Sequence, residues 1–243
     1  VSDNERLLKT FGDVPMKGNL ILSTERAPDF FALYRQQKAH AECWMYEHDG
    51  EVLGLGTIIW REGYMGGKPC RVAYLGDLRA KREVRGTLPR VYGRVFEKFQ
   101  ERVGVEYFYT GILATNQQAL QALTKRSPHR LAQPHYDLFR PFDSVQVQWG
   151  ARPRRRPRAQ EHGLVVRRAG PQDLDRIVAH LHEDHRQRPF GYRYDQGEFE
   201  HRLEHWPGFR LQDTYLCECE ERGLVGLCTT WDAAAVKRSR VLP

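Results

Sequence analysis

Apolar residues recur along this chain at two distinct periods. Leu88, Val91, Tyr92, Val95, Phe96, Phe99 and Val103 fall at spacings of three and four, one stripe of an amphipathic helix, and Gly104 ends it. Ser2-Asp-Asn-Glu5 is a capping-box pattern ahead of Leu7, Leu8 and Phe11 and predicts a short opening helix. A second helix is expected over residues 28–37, with Phe30, Phe31 and Tyr34 on one side. Residues 41–47 and 51–60 read as two strands of a hairpin around His48-Asp49-Gly50, and a second hairpin turns at Gly66-Gly67 into a strand over 71–79. A strand over 105–113, a helix over 116–125 and strand-like runs at 136–139 and 145–149 follow. Helices interleaved with strands in this order predict an α/β fold with a mixed sheet.

The order then begins again. A strand is expected over 164–167, a helix opened by Pro171-Gln-Asp-Leu174, a second helix over 196–205, and a hairpin whose strands are 214–219 and 224–231. Glu51-Val-Leu-Gly-Leu-Gly-Thr-Ile-Ile-Trp60 resembles Gly223-Leu-Val-Gly-Leu-Cys-Thr-Thr-Trp231, and Gly54 and Gly226 lie 172 positions apart. This reads as a duplicated domain. Residues 1–150 form the first copy, 151–162 a linker and 163–243 a partial second copy with no counterpart of 71–142. Both copies read as incomplete, with residues expected beyond each end.

Charge adds one feature. The 243 residues carry 38 Lys and Arg against 31 Asp and Glu, a net +7; Arg152, Arg154, Arg155, Arg156 and Arg158 lie within seven residues, and without them the balance is 33 against 31. Arg152-Pro-Arg-Arg-Arg-Pro-Arg158 reads as an extended linker, because its prolines block a helix and its arginines repel one another. A chain otherwise near neutral is not expected to bind nucleic acid over a whole face, although the strap itself could grip RNA or an acidic partner. With 11 Tyr, 11 Phe and 5 Trp the sequence is too aromatic for a disordered chain. No run approaches the roughly 18 apolar residues of a membrane span. The five cysteines, Cys43, Cys70, Cys217, Cys219 and Cys228, are odd in number and lack a C-x-x-C, which suggests reduced thiols and a cytoplasmic location. His201 and His205 have a metal-capable i, i+4 spacing, but their neighbours are Arg and Glu and no third ligand is fixed; no metal is expected.

The stretch that carries chemistry is Tyr74-Leu-Gly-Asp-Leu-Arg-Ala-Lys-Arg-Glu-Val-Arg-Gly-Thr-Leu-Pro89. A strand runs through a turn containing Gly86 straight into the amphipathic helix, so free N–H groups and the positive end of the helix dipole converge on an anion site. Arg79, Lys81, Arg82, Arg85 and Arg90 add positive charge. The plainer reading is a glycine turn with solvated arginines.

This stretch resembles the GNAT superfamily of acyl-CoA-dependent N-acyltransferases. Leu78-x-Ala80 stands at the strand end, Arg85-Gly86 matches the Arg-Gly of the family's Gln/Arg-x-x-Gly-x-Gly/Ala pattern, and Asn116-Gln-Gln-Ala119 matches its Asn-x-x-Ala. Val165-Val-Arg-Arg-Ala-Gly-Pro-Gln-Asp-Leu174 looks like the family's first strand and helix. The resemblance implies a GNAT-like fold that binds acetyl-CoA or another acyl-CoA and transfers the acyl group to an amine. It places the pyrophosphate on the N–H groups of Arg85, Gly86, Thr87 and Leu88, and the pantetheine beside the backbone of Leu78, Arg79 and Ala80. It makes Asn116 part of the cofactor site. Asp77 is implied as general base. The family's tyrosine acid falls at Leu123 here, and Tyr136 is the substitute candidate. Phe30, Phe31 and Tyr34 could line an acceptor pocket by the same resemblance, or simply pack into the core.

The departures have physical content. Glu83 brings a negative charge near the phosphates, Leu88 crowds the place of a second glycine, and Pro89 removes an N–H from the first helical turn. They support an alternative of another class, a non-catalytic acyl-CoA sensor or interaction scaffold. The partners implied are a small-molecule or peptide amine; the second copy either shapes the acceptor side or forms a homodimer contact.

Overall fold

Ser2 caps the first helix as its spacing predicts: its hydroxyl accepts from the Glu5 N–H while the Glu5 carboxylate accepts from the Ser2 N–H. That helix, α1 (Asp3–Asp13), opens a computed structural model that describes residues 2–14, 16–17, 21–85, 87–125, 134–142 and 163–242. The expected strand at 145–149 and the linker at 151–162 lie outside the described residues.

The described chain divides into two compact units that interleave in sequence. The first comprises Val1–Leu138, Asp184–Arg193 and Ala233–Pro243, and the second Phe139–Glu183 and Tyr194–Asp232. The segments 184–193 and 233–243, read from sequence with the second half, thus pack with the first unit.

In the first unit the sheet has the order β3 (His40–His48), β4 (Glu51–Met65), β5 (Lys68–Ala80), β6 (Tyr107–Tyr109). The β3–β4 and β4–β5 pairs are antiparallel and β5–β6 is parallel, the mixed sheet expected. Gly66 and Gly67 turn the second hairpin at φ 57° and 78°, which a side chain rarely tolerates. Strand alternation separates two apolar layers. Leu55 and Ile59 pack with Leu7 and Phe11 of α1 and with Phe30 and Tyr34 around α2 (Ala32–Gln36). Ile58, Ala73 and Leu75 pack on the other face with Phe99 of α3 (Leu88–Val103) and Val105. Gly104 ends α3 in the left-handed conformation.

The sequence reading missed several elements. The helix expected over 28–37 forms only at Ala32–Gln36, after two turns. Strands β1 (Met16–Lys17) and β2 (Ile21–Glu25) make a small sheet with β11 (Arg238–Leu242), which pairs antiparallel to β2. Residues 136–139 form no strand, and Leu138 and Phe139 are exposed. β8 (Gly191–Tyr192) pairs with β4 at Gly63 and Tyr64. Glycine is required there: a Cβ on Gly63 would lie 2.4 Å from the Gly191 carbonyl oxygen, and one on Gly191 would lie 1.8 Å from the His185 carbonyl oxygen.

The second unit, taken by itself, contains β7 (Leu164–Arg168), most of α5 (Leu174–Gln187), α6 (Gln196–His205), β9 (Thr214–Cys219) and β10 (Gly223–Thr229), with an antiparallel sheet of order β10-β9-β7. Asp173 is buried and accepts from both Arg167 Nη atoms, at 2.6 and 2.7 Å, and from the Gly170 N–H at 2.9 Å. Those donors hold its carboxyl far below the usual carboxylate range, Arg167 contributing most. The β9–β10 hairpin slips register between Leu224 and Gly226, leaving Val225 as the extra residue, and the β3–β4 hairpin slips so that Leu53 is the extra residue before Gly54. Each slip therefore falls one residue before the glycine matched between the two hairpins.

Two stability predictions follow from these contacts. Gly191→Ala forces a methyl group into the His185 carbonyl, and urea unfolding should show a loss of about 1–3 kcal/mol with an unchanged slope. Asp173 binds a proton more weakly folded than unfolded, so its contribution is present in full above the ordinary carboxylate value and is lost as pH falls below it. The gap in urea midpoint between the native chain and Asp173→Asn should be constant above about pH 4 and narrow below it.

Candidate active site

β5 carries a two-against-one bulge at the end of the sheet. Leu55 pairs with Arg79 and Thr57 with Gly76, so Gly56 alone stands opposite Asp77 and Leu78. Asp77 takes φ 53°, a left-handed backbone that non-glycine residues adopt rarely. β6 pairs with β5 only at residues 72–74, and Thr110 Oγ1 then donates to the Leu75 carbonyl at 2.7 Å. From there β5 runs on to Ala80 past the end of β6, and among the described residues no further strand pairs with it on that side.

Asp77 is tied to three other segments. Its Oδ2 lies 2.7 Å from Arg26 Nη2, where the Arg26 side chain is 4% exposed and that of Asp77 17%. The Tyr34 hydroxyl donates to the same oxygen and accepts from Arg26 Nη1, and Thr57 Oγ1 is 3.5 Å away. The ion pair is with Arg26 and not with the arginines nearer in sequence: Arg71 binds Glu62 and the Val103 carbonyl, while Arg79 lies over the Phe11 ring at 4.6 Å. Arg26 also lies over Phe11, Phe30 and Tyr34, within 4.7–5.2 Å of each ring centroid.

Asp77 and Tyr34 open on a cavity of about 310 Å³. It is lined by apolar Leu33, Ile59 and Val72, by the phenols Tyr74, Tyr109 and Tyr192, and by Arg26, Gln37, Arg61 and Lys237. The Tyr109 and Tyr192 hydroxyls are 2.9 Å apart, and the Arg61 guanidinium covers the Tyr192 ring at 4.1 Å while donating to Gln37. Burial pushes the Tyr34, Tyr74 and Tyr109 hydroxyls above the ordinary phenol value, with the Asp77 charge adding to the shift of Tyr34 and Tyr74. All three are therefore neutral donors at physiological pH. Burial, and then Asp77, pushes the neighbouring Cys43 thiol up to about 12.

The other expected site residues divide as follows. Leu78 and Ala80 lie on the free stretch of β5, and Leu78 is 38% exposed. Gly86, the centre of the expected phosphate turn, lies outside the described residues, as does the side chain of Leu88. Two of the four N–H groups expected there are already engaged: Arg85 donates to Arg82 and Thr87 to Val84, in a 3-10 turn (Arg82–Val84) pinned by the buried Val84. Arg82 and Arg85 are exposed beside this turn. Asn116 is the N-cap of α4 (Gln117–Thr124), its side chain accepting from the Ala119 N–H at 3.2 Å. Tyr136 hydrogen-bonds the Tyr92 hydroxyl and packs on the Ile58–Ala73–Leu75 layer, the α3 face. Asp77 opens on the opposite face, so the two expected proton-transfer residues flank the sheet from either side. Of the three early aromatics, Phe30 is core and Tyr34 lines the cavity.

Arg26, Arg61, Tyr192 and Lys237 were not found from sequence. Their only signal is isolated Arg, Lys and Tyr letters in segments up to 211 positions apart. No cluster of three His, Cys, Asp or Glu able to hold a metal occurs among the described residues, and His201 and His205 stack ring on ring at 4.2 Å. No helix of the described residues is long and apolar enough to cross a membrane.

No family profile matches the chain, and no curated protein matches it. Among solved structures it is similar to the aminoglycoside acetyltransferase meta-AAC0020 from an uncultured soil metagenomic sample. The identity is 18% over 58% of this chain and 88% of that one, with a TM-score of 0.40. A conserved protein of unknown function from Enterococcus faecalis V583 shares 8% identity over 96% of this chain and 53% of its own, with a TM-score of 0.47. A Trypanosoma brucei acetyltransferase shares 13% identity over 56% and 93%, with a TM-score of 0.35. All three fall under a TM-score of 0.5, and none bears on the chemistry of the site.

The Arg26–Asp77 pair sets one prediction. Arg26→Met leaves a half-buried carboxylate without its cation and should lower the urea midpoint by the equivalent of about 3 kcal/mol. The double variant Arg26→Met, Asp77→Asn should recover part of that loss.

Proposed function

We propose that the chain is a GNAT-like, acyl-CoA-dependent N-acyltransferase, with acetyl-CoA as donor and an amine held in the Asp77 cavity as acceptor. The observation that carries this reading is the bulge at Asp77 and Leu78, where β5 leaves its parallel partner and presents a free backbone edge beside a cavity holding a carboxylate. An extended pantetheine arm fits such an edge as an added strand along Leu78, Arg79 and Ala80. Arg82 and Arg85 offer charge to the phosphates, while the amides of Arg85 and Thr87 are engaged by Arg82 and Val84. Acyl-CoA, when bound, supplies an activated acyl carbon and a thiolate as leaving group.

In this reading Asp77 takes the proton from the acceptor ammonium, and the Tyr34 and Arg26 contacts orient its carboxylate. Tyr136, on the opposite face, is the proposed proton donor to the leaving thiolate. Acceptor and donor would thus approach the free end of β5 from different faces. Asn116 acts through α4, whose first turn it caps. The two-copy arrangement, with 1–150 and 163–243 as the copies, is supported by the matching register slips before Gly54 and Gly226. The second copy lends 184–193 and 233–243 to the acceptor cavity of the first.

The engaged amides of Arg85 and Thr87 favour the second reading, an acyl-CoA binder without turnover. Calorimetric titration with desulfo-CoA, followed by thiol release from acetyl-CoA across an amine panel, separates the two. Binding with turnover is expected; binding alone supports the sensor, and no binding at millimolar ligand by a folded chain overturns both. Asp77→Asn should lower kcat by about 10²–10⁴-fold with desulfo-CoA affinity unchanged.

A further inference from the structure

We infer that Lys237 is a self-acylation site, an amine of the chain's own that the donor thioester acylates within the same molecule; this rests on the acyltransferase reading above. Lys237 lines the cavity that holds Asp77, and it is the one lysine among the described lining residues. Backbone pairing puts it there. β11 runs antiparallel to β2 with Arg238 opposite Glu25, so Lys237, one residue earlier, stands at the register position opposite Arg26. Arg26 is the residue whose guanidinium holds Asp77 at 2.7 Å. The Lys237 N–H donates to the Ala233 carbonyl at 2.8 Å, and the residue before it, Val236, is buried. The lysine stem therefore leaves a fixed point of the backbone beside the Arg26–Asp77 pair.

Both reacting groups are unspent. No ion pair or hydrogen bond engages the Lys237 ammonium among the described residues, whereas Lys81, the lysine nearest the bulge in sequence, is held by Glu51. Arg26, Tyr34 and Thr57 all engage Oδ2 of Asp77, which leaves Oδ1 to accept a proton. An ammonium has no lone pair, so Lys237 must first lose a proton, and Asp77 is the one carboxylate of the lining able to take it. The neutral Nζ then attacks the thioester carbonyl carbon. An N–C bond forms and the C–S bond breaks, its electron pair going to sulfur. Of the two protons the nitrogen gives up, one ends on the CoA thiol and the other passes from Asp77 to solvent. The acyltransferase reading already requires a free amine in this cavity. A tethered amine meets that requirement without a binding step, an advantage that exposed lysines elsewhere, such as Lys68 and Lys98, do not have.

Peptide mass spectrometry of the full chain incubated with acetyl-CoA tests this. Acetyl should accumulate on Lys237 about ten-fold or more faster than on Lys68 or Lys98. The rate per chain should be the same at low and high protein concentration. Desulfo-CoA fills the donor site without an acyl group, and should suppress the Lys237 signal while leaving Lys68 and Lys98 unchanged. Asp77→Asn should slow acylation of Lys237 alone; because that variant removes the counter-ion of Arg26, the desulfo-CoA comparison on the native chain stands independently of its folding. Lys237 acylated no faster than the two controls, undiminished by desulfo-CoA, or at a rate per chain that rises with protein concentration would overturn the inference. Thiol release across an amine panel is read in parallel. Turnover of added amines with Lys237 untouched sinks the inference and leaves the acyltransferase. Neither thiol release nor desulfo-CoA binding by a folded chain removes the acyltransferase reading itself.

Discussion

The ion pair between Arg26 and Asp77 joins four parts of the chain at one point. Arg26 follows β2, Tyr34 comes from α2, Thr57 from β4 and Asp77 from the bulge of β5. A carboxylate this enclosed is tolerable only with charge and hydrogen bonds around it. Arg26 in turn is stacked against three aromatic rings that belong to the apolar layer beneath α1. The bulge geometry, the layer over the sheet and the cavity mouth are therefore set by the same contact.

The left-handed backbone of Asp77 belongs to that arrangement. An unstrained strand at this position would alternate regularly, and the extra residue between Gly76 and Arg79 would be lost. The bulge shifts the face of every following position by one, so that Arg79 sits over Phe11 and Leu78 is exposed. Strain of this kind concentrates where a structure must present a group in a set direction. Here the group is a carboxylate at the end of a sheet whose neighbouring strand has stopped.

Periodicity made the frame legible. The apolar stripe of α3, the capping box of α1, the Gly66-Gly67 turn, the left-handed Gly104 and the Asn116 cap all stand where local pattern put them. Such features depend on neighbours a few residues away. Ile21–Glu25 and Arg238–Leu242 do not alternate cleanly and are strands because each supplies the other's hydrogen bonds across more than two hundred residues. A two-residue strand such as β8 has no sequence period at all; a close approach of two glycines makes it. Tyr136 looked like a strand residue by composition, yet the run around it pairs with nothing described. The candidate site was legible on one side only. Asp77 and Leu78 could be found from the strand end, whereas Arg26, Tyr192 and Lys237 reach the cavity through tertiary placement that no local pattern encodes.

That last fact divides the cavity by origin. Its carboxylate, phenols and apolar lining come mostly from one continuous stretch of chain, while Tyr192 and Lys237 arrive from two short pieces far downstream. Substitutions in those pieces can alter what is admitted without touching the strand edge or the carboxylate. Choice of guest and capacity for chemistry are thus written in separable portions of the gene, free to diverge at different speeds.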